Sequence, residues 1–146
     1  MYAIRYHETG DPDVLRWEAV DVPSPGNHEV LLKNTAIGVG LKETGGRKGI
    51  YPCPPLPTIP GITAAAEILE TGTDVTNLKP GDRVAYAGMP AGSYCEHRVM
   101  LADIFEVVLS GAVKATISEQ YPLKDAAEAH RALESRRSTG SVILIP

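Results

Sequence analysis

The chain has 146 residues, 43% of them hydrophobic, with 18 acidic residues against 14 basic ones and a formal net charge of −4. That length fits one domain of ordinary size, and a mean hydropathy of −0.08 fits a soluble one. The acidic balance, with no basic stripe, argues against a nucleic-acid partner. No apolar run reaches the roughly 20 residues that a membrane span needs. The start, "MYAIRYHETG", lacks a signal-peptide core. Cys53 and Cys95 are the only cysteines and lie far apart, which suggests neither a disulfide framework nor a zinc cluster. A reduced, cytoplasmic setting is expected, with each thiol a small buried hydrophobe.

In chain order, Tyr2 to Tyr6 reads as a strand, with a partner over Val14 to Val22. A Pro/Gly loop, "PSPGNHE", follows. Glu29 to Val39 is a strong strand, apolar at Val30, Leu32, Ile37 and Val39. Ile62 to Thr71, Arg83 to Ala87 and Ser93 to Leu101 are further strands, with a turn tip at Gly81-Asp82. Short strands between such turns suggest a small barrel or sandwich. The tail changes period. Ile104 to Leu109 fits one or two helical turns and Val113 to Ile117 a strand. Leu123 to Arg137 is the best helix, with Leu123, Ala126, Ala127, Ala129, His130 and Leu133 on one face. Gly140 stops it, and Val142 to Ile145 is a final, wholly apolar and therefore central strand.

Four stretches carry a resemblance. They are "HEVLLKNTAIGVGLKETGGRKGIYP" (28–52), "PTIPGITAAAEI" (57–68), "LKPGDRVAYAGMPAGSYCEHRVM" (78–100) and "IFEVVLSGAVKATISEQYPLKDAAEAHRALESRRSTGSVILIP" (104–146). In this order they resemble the zeta-crystallin-like NADPH:quinone oxidoreductases, the zinc-free branch of the medium-chain dehydrogenases/reductases. The resemblance implies a mostly β, barrel-like GroES-like fold with flanking helices (α+β) and no Rossmann sheet. It also implies that a nucleotide-binding domain normally lies between the last two stretches. Here Asp103 runs directly into Ile104. The expectation is one GroES-like domain spanning 1–146, assembled from 1–103 and 104–146 around one shared core.

Two apparent motifs are discounted. "GVGLKETGG" has Gly38 and Gly40, but Glu43 stands where a dinucleotide fingerprint needs its third glycine. Zinc-dependent relatives use a cysteine and a "GHE" segment. This chain has no cysteine near Gly40 and reads "PGIT" at 60–63, and its four histidines lack ligand spacing. The family's cleft segment aligns from Gly38 to Tyr51. Arg47, Gly49, Tyr51 and Pro52 match, while Gly40, Glu43, Gly45 and Thr63 stand in place of Asn, Asp, Tyr and Glu. The resemblance thus leaves Arg47, Tyr51, Glu43 and Thr63 as cleft candidates. Against this, Arg47 could be an exposed loop cation, and Tyr51 could pack on the neighbouring prolines. Gly92 and Tyr94 read as turn and core elements.

The resemblance implies a substrate-side domain whose family reaction is NADPH-dependent reduction of quinones. Such a chain would bind no NADPH itself and be inactive alone, with a quinone-like small molecule as its ligand. The alternative is a binding or scaffold module, natural or engineered, that reuses the cleft or self-associates. Ile104, Phe105, Val108 and the 51–57 loop are the candidate surface for a homo-oligomer.

Overall fold

The computed structural model describes residues 1–52, 54–102, 116–136 and 138–146. Cys53, the join at 103–104, the short helix expected over 104–109 and the surface residues Ile104, Phe105 and Val108 lie outside them. So do positions 113–115 of the expected tail strand.

The chain opens with an antiparallel pair, β1 (Tyr2–Arg5) and β2 (Arg16–Ala19). The second strand is shorter than the Val14–Val22 expected. Pro12 opens a one-turn 3-10 helix over Pro12–Val14, where its fixed φ suits a helical start. On the outer face of this pair Trp17 stacks on Tyr2, with ring centroids 5.0 Å apart and planes 8° from parallel.

The organising strand is β3 (Glu29–Val39), eleven residues long. One edge pairs antiparallel with β4 (Thr63–Thr71) along nearly its whole length. The other edge is shared. Residues Glu29 to Lys33 pair with β6 (His97–Leu101), and Ile37 to Val39 pair with β8 (Ser141–Ile145). The buried positions of β3 change parity midway. Val30, Leu32 and Asn34 point inward, then Ile37 and Val39 do. A one-residue register shift between Asn34 and Ala36 produces the change. β5 (Arg83–Ala87) extends the sheet beyond β4, after the turn at Gly81, whose φ of +91° favours glycine.

The tail supplies β7 (Ile117–Pro122), parallel to β8. It begins where the expected strand was to end. The sheet order is β5-β4-β3-β8-β7, with β6 on β3. β8 is therefore internal, as its apolar sequence predicts. The mostly β fold with flanking helices is as expected, and among the described residues the six-stranded sheet is not closed. The β1–β2 pair meets the rest through single bridges, Ala3 to Cys95 and Tyr6 to Thr58, and not through a continuous ladder.

Two helices flank the sheet. α1 (Leu41–Arg47) holds two glycines and was not expected as a helix. α2 (Ala126–Glu134) is shorter than the 123–137 expected. Leu123–Asp125 forms a 3-10 turn before it, and Arg136 adopts a φ of +55° after it, which ends the helix before Gly140. Of the expected face, Leu123, Ala126, Ala129 and His130 are buried, while Ala127 and Leu133 are half-buried.

Leu123, Ala126, Ala129, Val142 and Leu144 belong to the same apolar cluster as Ile4, Val30, Leu32, Ile37, Ile68 and Tyr94. Leu144 has no exposure. Leu144→Ala should therefore cost about 2–5 kcal/mol. Urea unfolding should show one transition moved to lower denaturant. A separate early transition for the 116–146 segment would show that the tail has its own stability.

Candidate functional site

The chain leaves β3 at Val39, and Gly40 precedes α1. Glu43, at the third helical position, is only 7% exposed. Its Oε2 accepts the Gly40 N–H (3.1 Å) and its Oε1 accepts the Ile62 N–H (3.2 Å). This is one half of a capping box, since Gly40 has no side chain with which to reciprocate. The carboxylate also suits the positive end of the helix. Glu43 therefore clips the start of α1 to the 60–62 loop, with both oxygens engaged.

Two cavities lie on either side of this clip. One is an apolar slot of about 70 Å³, walled by Gly46, Tyr51, Pro52, Pro60, Gly61 and Met89. Gly61 has a φ of +95°, and a Cβ there would collide with Ser93 and the Tyr94 ring, so only glycine lets this wall rest on the core. The other cavity, about 330 Å³, lies among Gly38, Leu41, Thr63, Leu133 and Ser141. Thr63 begins β4, and its hydroxyl occupies the space that a side chain at Gly38 would need.

Arg47 lines neither cavity. Its side chain is fully buried between α1 and α2, so it is not the exposed loop cation that was the alternative reading. Its Nε–H donates to His130 Nδ1 (3.2 Å), Nη1 donates to Gly10 O, and Nη2 pairs with Glu134. Lys48 Nζ reaches the other Glu134 oxygen at 3.2 Å. Arginine only donates, so Nδ1 must accept, and the imidazole proton resides on Nε2, 3.0 Å from the Tyr94 hydroxyl. Burial pushes the His130 pKa down to about 3, and the Arg47 and Lys48 charges push the same way. Burial likewise holds the Tyr94 phenol well above its usual value, with Glu43 adding to the rise and Arg47 opposing it.

The four cleft candidates are thus divided. Glu43 borders both cavities, Tyr51 the slot and Thr63 the larger cavity, while Arg47 stands behind them as an anchor. Sequence reasoning missed Pro60, Gly61 and Met89 as slot walls and missed the Arg47–His130 contact. One signal was present: a histidine on the apolar face of α2 needs a buried polar partner. Gly92 is at a turn with φ +140°, and Tyr94 is fully buried, as expected for turn and core elements. Cys95 is buried, and its thiol is pushed up to about 12, chiefly by burial.

The Gly38–Gly40 segment does not form a phosphate-binding loop for a dinucleotide. The spaces beside Gly38 and Gly40, which in a phosphate loop admit the ligand, are taken by Thr63 and by the Glu43 carboxylate. Glu43 Oε2 would lie 2.8 Å from a Cβ at Gly40. An acid there would repel a phosphate. Nor do the residues fit zinc: Gly40 and Thr63 offer at most a hydroxyl. Among the described residues no group of three or more His, Cys, Asp or Glu side chains could hold a metal. Also among them, no helix is long and apolar enough to cross a membrane.

Below pH 6.5 the unfolded chain binds a proton at His130 that the folded chain refuses until about pH 3. Stability from this group is therefore full above pH 6.5 and falls with acid across that window, by up to about 1.4 kcal/mol per pH unit. Urea melts at pH 7 and pH 5 should show the parent chain losing about 2 kcal/mol more than His130→Gln. Parallel losses would show that His130 ionises normally.

The family described as zinc-binding dehydrogenase matches residues 47–144. A quinone oxidoreductase of Pseudomonas aeruginosa is 41% identical over 100 residues, covering 68% of this chain and 31% of that protein. The crystal structure of the Pseudomonas syringae pv. tomato quinone oxidoreductase superposes with a TM-score of 0.70 at 35% identity, covering 77% of this chain and 34% of that one. The Escherichia coli quinone oxidoreductase, solved in complex with NADPH, gives 0.68 at 29% identity, covering 83% and 44%. The chain thus spans about a third of the length of the curated relatives it matches.

Proposed function

The chain belongs to the zinc-binding dehydrogenase family, and we propose that it is the substrate-side unit of a quinone oxidoreductase-like protein, a single GroES-like domain built from residues 1–103 and 104–146. The observation that carries this reading is the apolar slot beside α1. Quinone rings are flat and apolar, with oxygens at the rim, and suit a slot with few polar groups. Tyr51 and Lys42, with Tyr6 behind them, are polar side chains bordering the slot that can face a quinone oxygen. Glu43 holds the slot's shape, each of its oxygens already accepting one backbone N–H.

In this reading residues 1–146 bind and orient the ring and exclude water from one of its faces. They do not bring the hydride donor. The family reaction draws its hydride from NADPH, and the glycines that might be taken for a cofactor loop are filled by the chain's own side chains. The chain alone is accordingly inactive.

A second reading, a self-associating or ligand-binding module, is favoured by exposed apolar side chains on α1, on the turn after it and at the slot. Leu41 and Ile50 are each 68% exposed and Met89 is 56% exposed. A monomer at high concentration would count against it.

Calorimetry on the purified chain should show binding of 2,6-dimethoxy-1,4-benzoquinone and no detectable heat with NADPH. A full-length relative serves as the positive control for NADPH. A dissociation constant for NADPH in the micromolar range, about −8 kcal/mol, together with quinone-dependent NADPH oxidation, would overturn the claim of inactivity. Absence of quinone binding would overturn the substrate reading.

A further inference from the structure

Gly45 lies inside α1 with ordinary helical backbone, so the path of the chain does not require glycine there. Helix propensity alone would favour alanine by about 1 kcal/mol. What the missing side chain leaves room for is Tyr51. A Cβ at position 45 would stand 2.7 Å from Tyr51 Cδ2 and closer still to Cε2. The phenol ring therefore rests in a notch on the helix surface.

The turn after α1 delivers the ring to that notch. The Ile50 N–H donates to Gly45 O at 2.9 Å, and the Gly49 N–H donates to Gly46 O at 3.0 Å. Gly49 itself has a φ of +76°. The same ring borders the slot. The wall formed by Pro60, Gly61 and Ile62 is fixed independently. Glu43 clips it at Ile62, and Gly61 O accepts the N–H groups of Gly92 (2.7 Å) and Ser93 (3.1 Å). With that wall fixed, the gap depends on how deeply Tyr51 sinks against α1.

We propose that the Gly45–Tyr51 pair is the specificity determinant of the slot: by letting the phenol sink against the helix, the notch leaves the slot room for one flat aromatic ring and none for a second ring fused to it. This rests on reading the slot as the ring-binding site. It is consistent with the slot's small size, about 70 Å³, beside the 330 Å³ cavity across the Glu43 clip. An added methyl at position 45 meets the movable ring of Tyr51, so the ring is what yields. It then moves off the helix and narrows the gap.

The test uses two redox-quiet probes, 4-methoxyphenol (one ring) and 1-naphthol (two rings), titrated into the isotopically labelled chain and followed through backbone amide shifts. The parent chain should bind 4-methoxyphenol about tenfold more tightly than 1-naphthol, with shifts at Gly46, Gly61 and Ala91. Gly45→Ala should weaken 4-methoxyphenol about tenfold, and in a Tyr51→Ala background the same substitution should do almost nothing. Tyr51→Ala alone should admit 1-naphthol. Equal binding of the two probes by the parent chain, or an equal Gly45→Ala effect in both backgrounds, would overturn the proposal. If Gly45→Ala does not fold, the probe preference of Tyr51→Ala decides: an unchanged preference overturns the proposal. A chain that binds the phenols as described but not the benzoquinone keeps this inference and loses the quinone reading. One that binds the benzoquinone without ring selectivity does the reverse.

Discussion

A guanidinium buried in the interior dictates much of this architecture. Arg47 cannot shed its charge, and a buried charge is costly unless it is paired and fully hydrogen-bonded. Three groups meet that demand: the Gly10 carbonyl, the Glu134 carboxylate and the His130 imidazole. They come from the first loop and from α2, 37, 83 and 87 residues away in sequence. The cost of leaving any of them unpaired holds α1 against α2. The imidazole can serve only while neutral, and its burial beside two cations keeps it so. Both cavities border α1, so their shape inherits this constraint.

The second constraint is the divided edge of β3. Here β6 takes the first half of one edge and β8 takes the end. The 116–146 segment thereby enters the sheet of the preceding segment in its interior, beside the strand with the most partners. The shift between Asn34 and Ala36 lets both halves of β3 face the core despite the change of partner. Asn34, buried at that shift, donates to the Ser93 and Cys95 carbonyls and accepts from the Tyr86 hydroxyl, which satisfies groups the ladder leaves open.

Much of the sheet was legible in the sequence, because period-two patterning and Gly/Pro turns are local signals. β3, β4 and β5 lie where alternation and turns place them, and the apolar run of β8 marked it as internal. α2 was legible through its 3.6-residue face, although its end was not, since Arg136 in a left-handed conformation leaves no mark in composition. α1 was hidden by its own glycines. Gly45 and Gly46 weaken helix propensity, and the helix exists because Glu43 caps its start and Arg47 anchors its end. Glu43's cap on Gly40 is local, but its second partner, Ile62, and Arg47's partners, His130 and Glu134, lie in no window around residue 43 or 47. The glycine at position 45 looked like a lost polar group. Its meaning appears only when the Tyr51 ring is placed beside it.

The outer stack of Tyr2 and Trp17 has a practical bearing on how this molecule can be watched. Trp17 is the only tryptophan in the chain and is 37% exposed. It sits on the β1–β2 pair, which is joined to the larger sheet by isolated bridges. Its emission therefore reports on the outer face of that small pair and its stack on Tyr2, while the slot is bordered by tyrosines alone, Tyr6 and Tyr51.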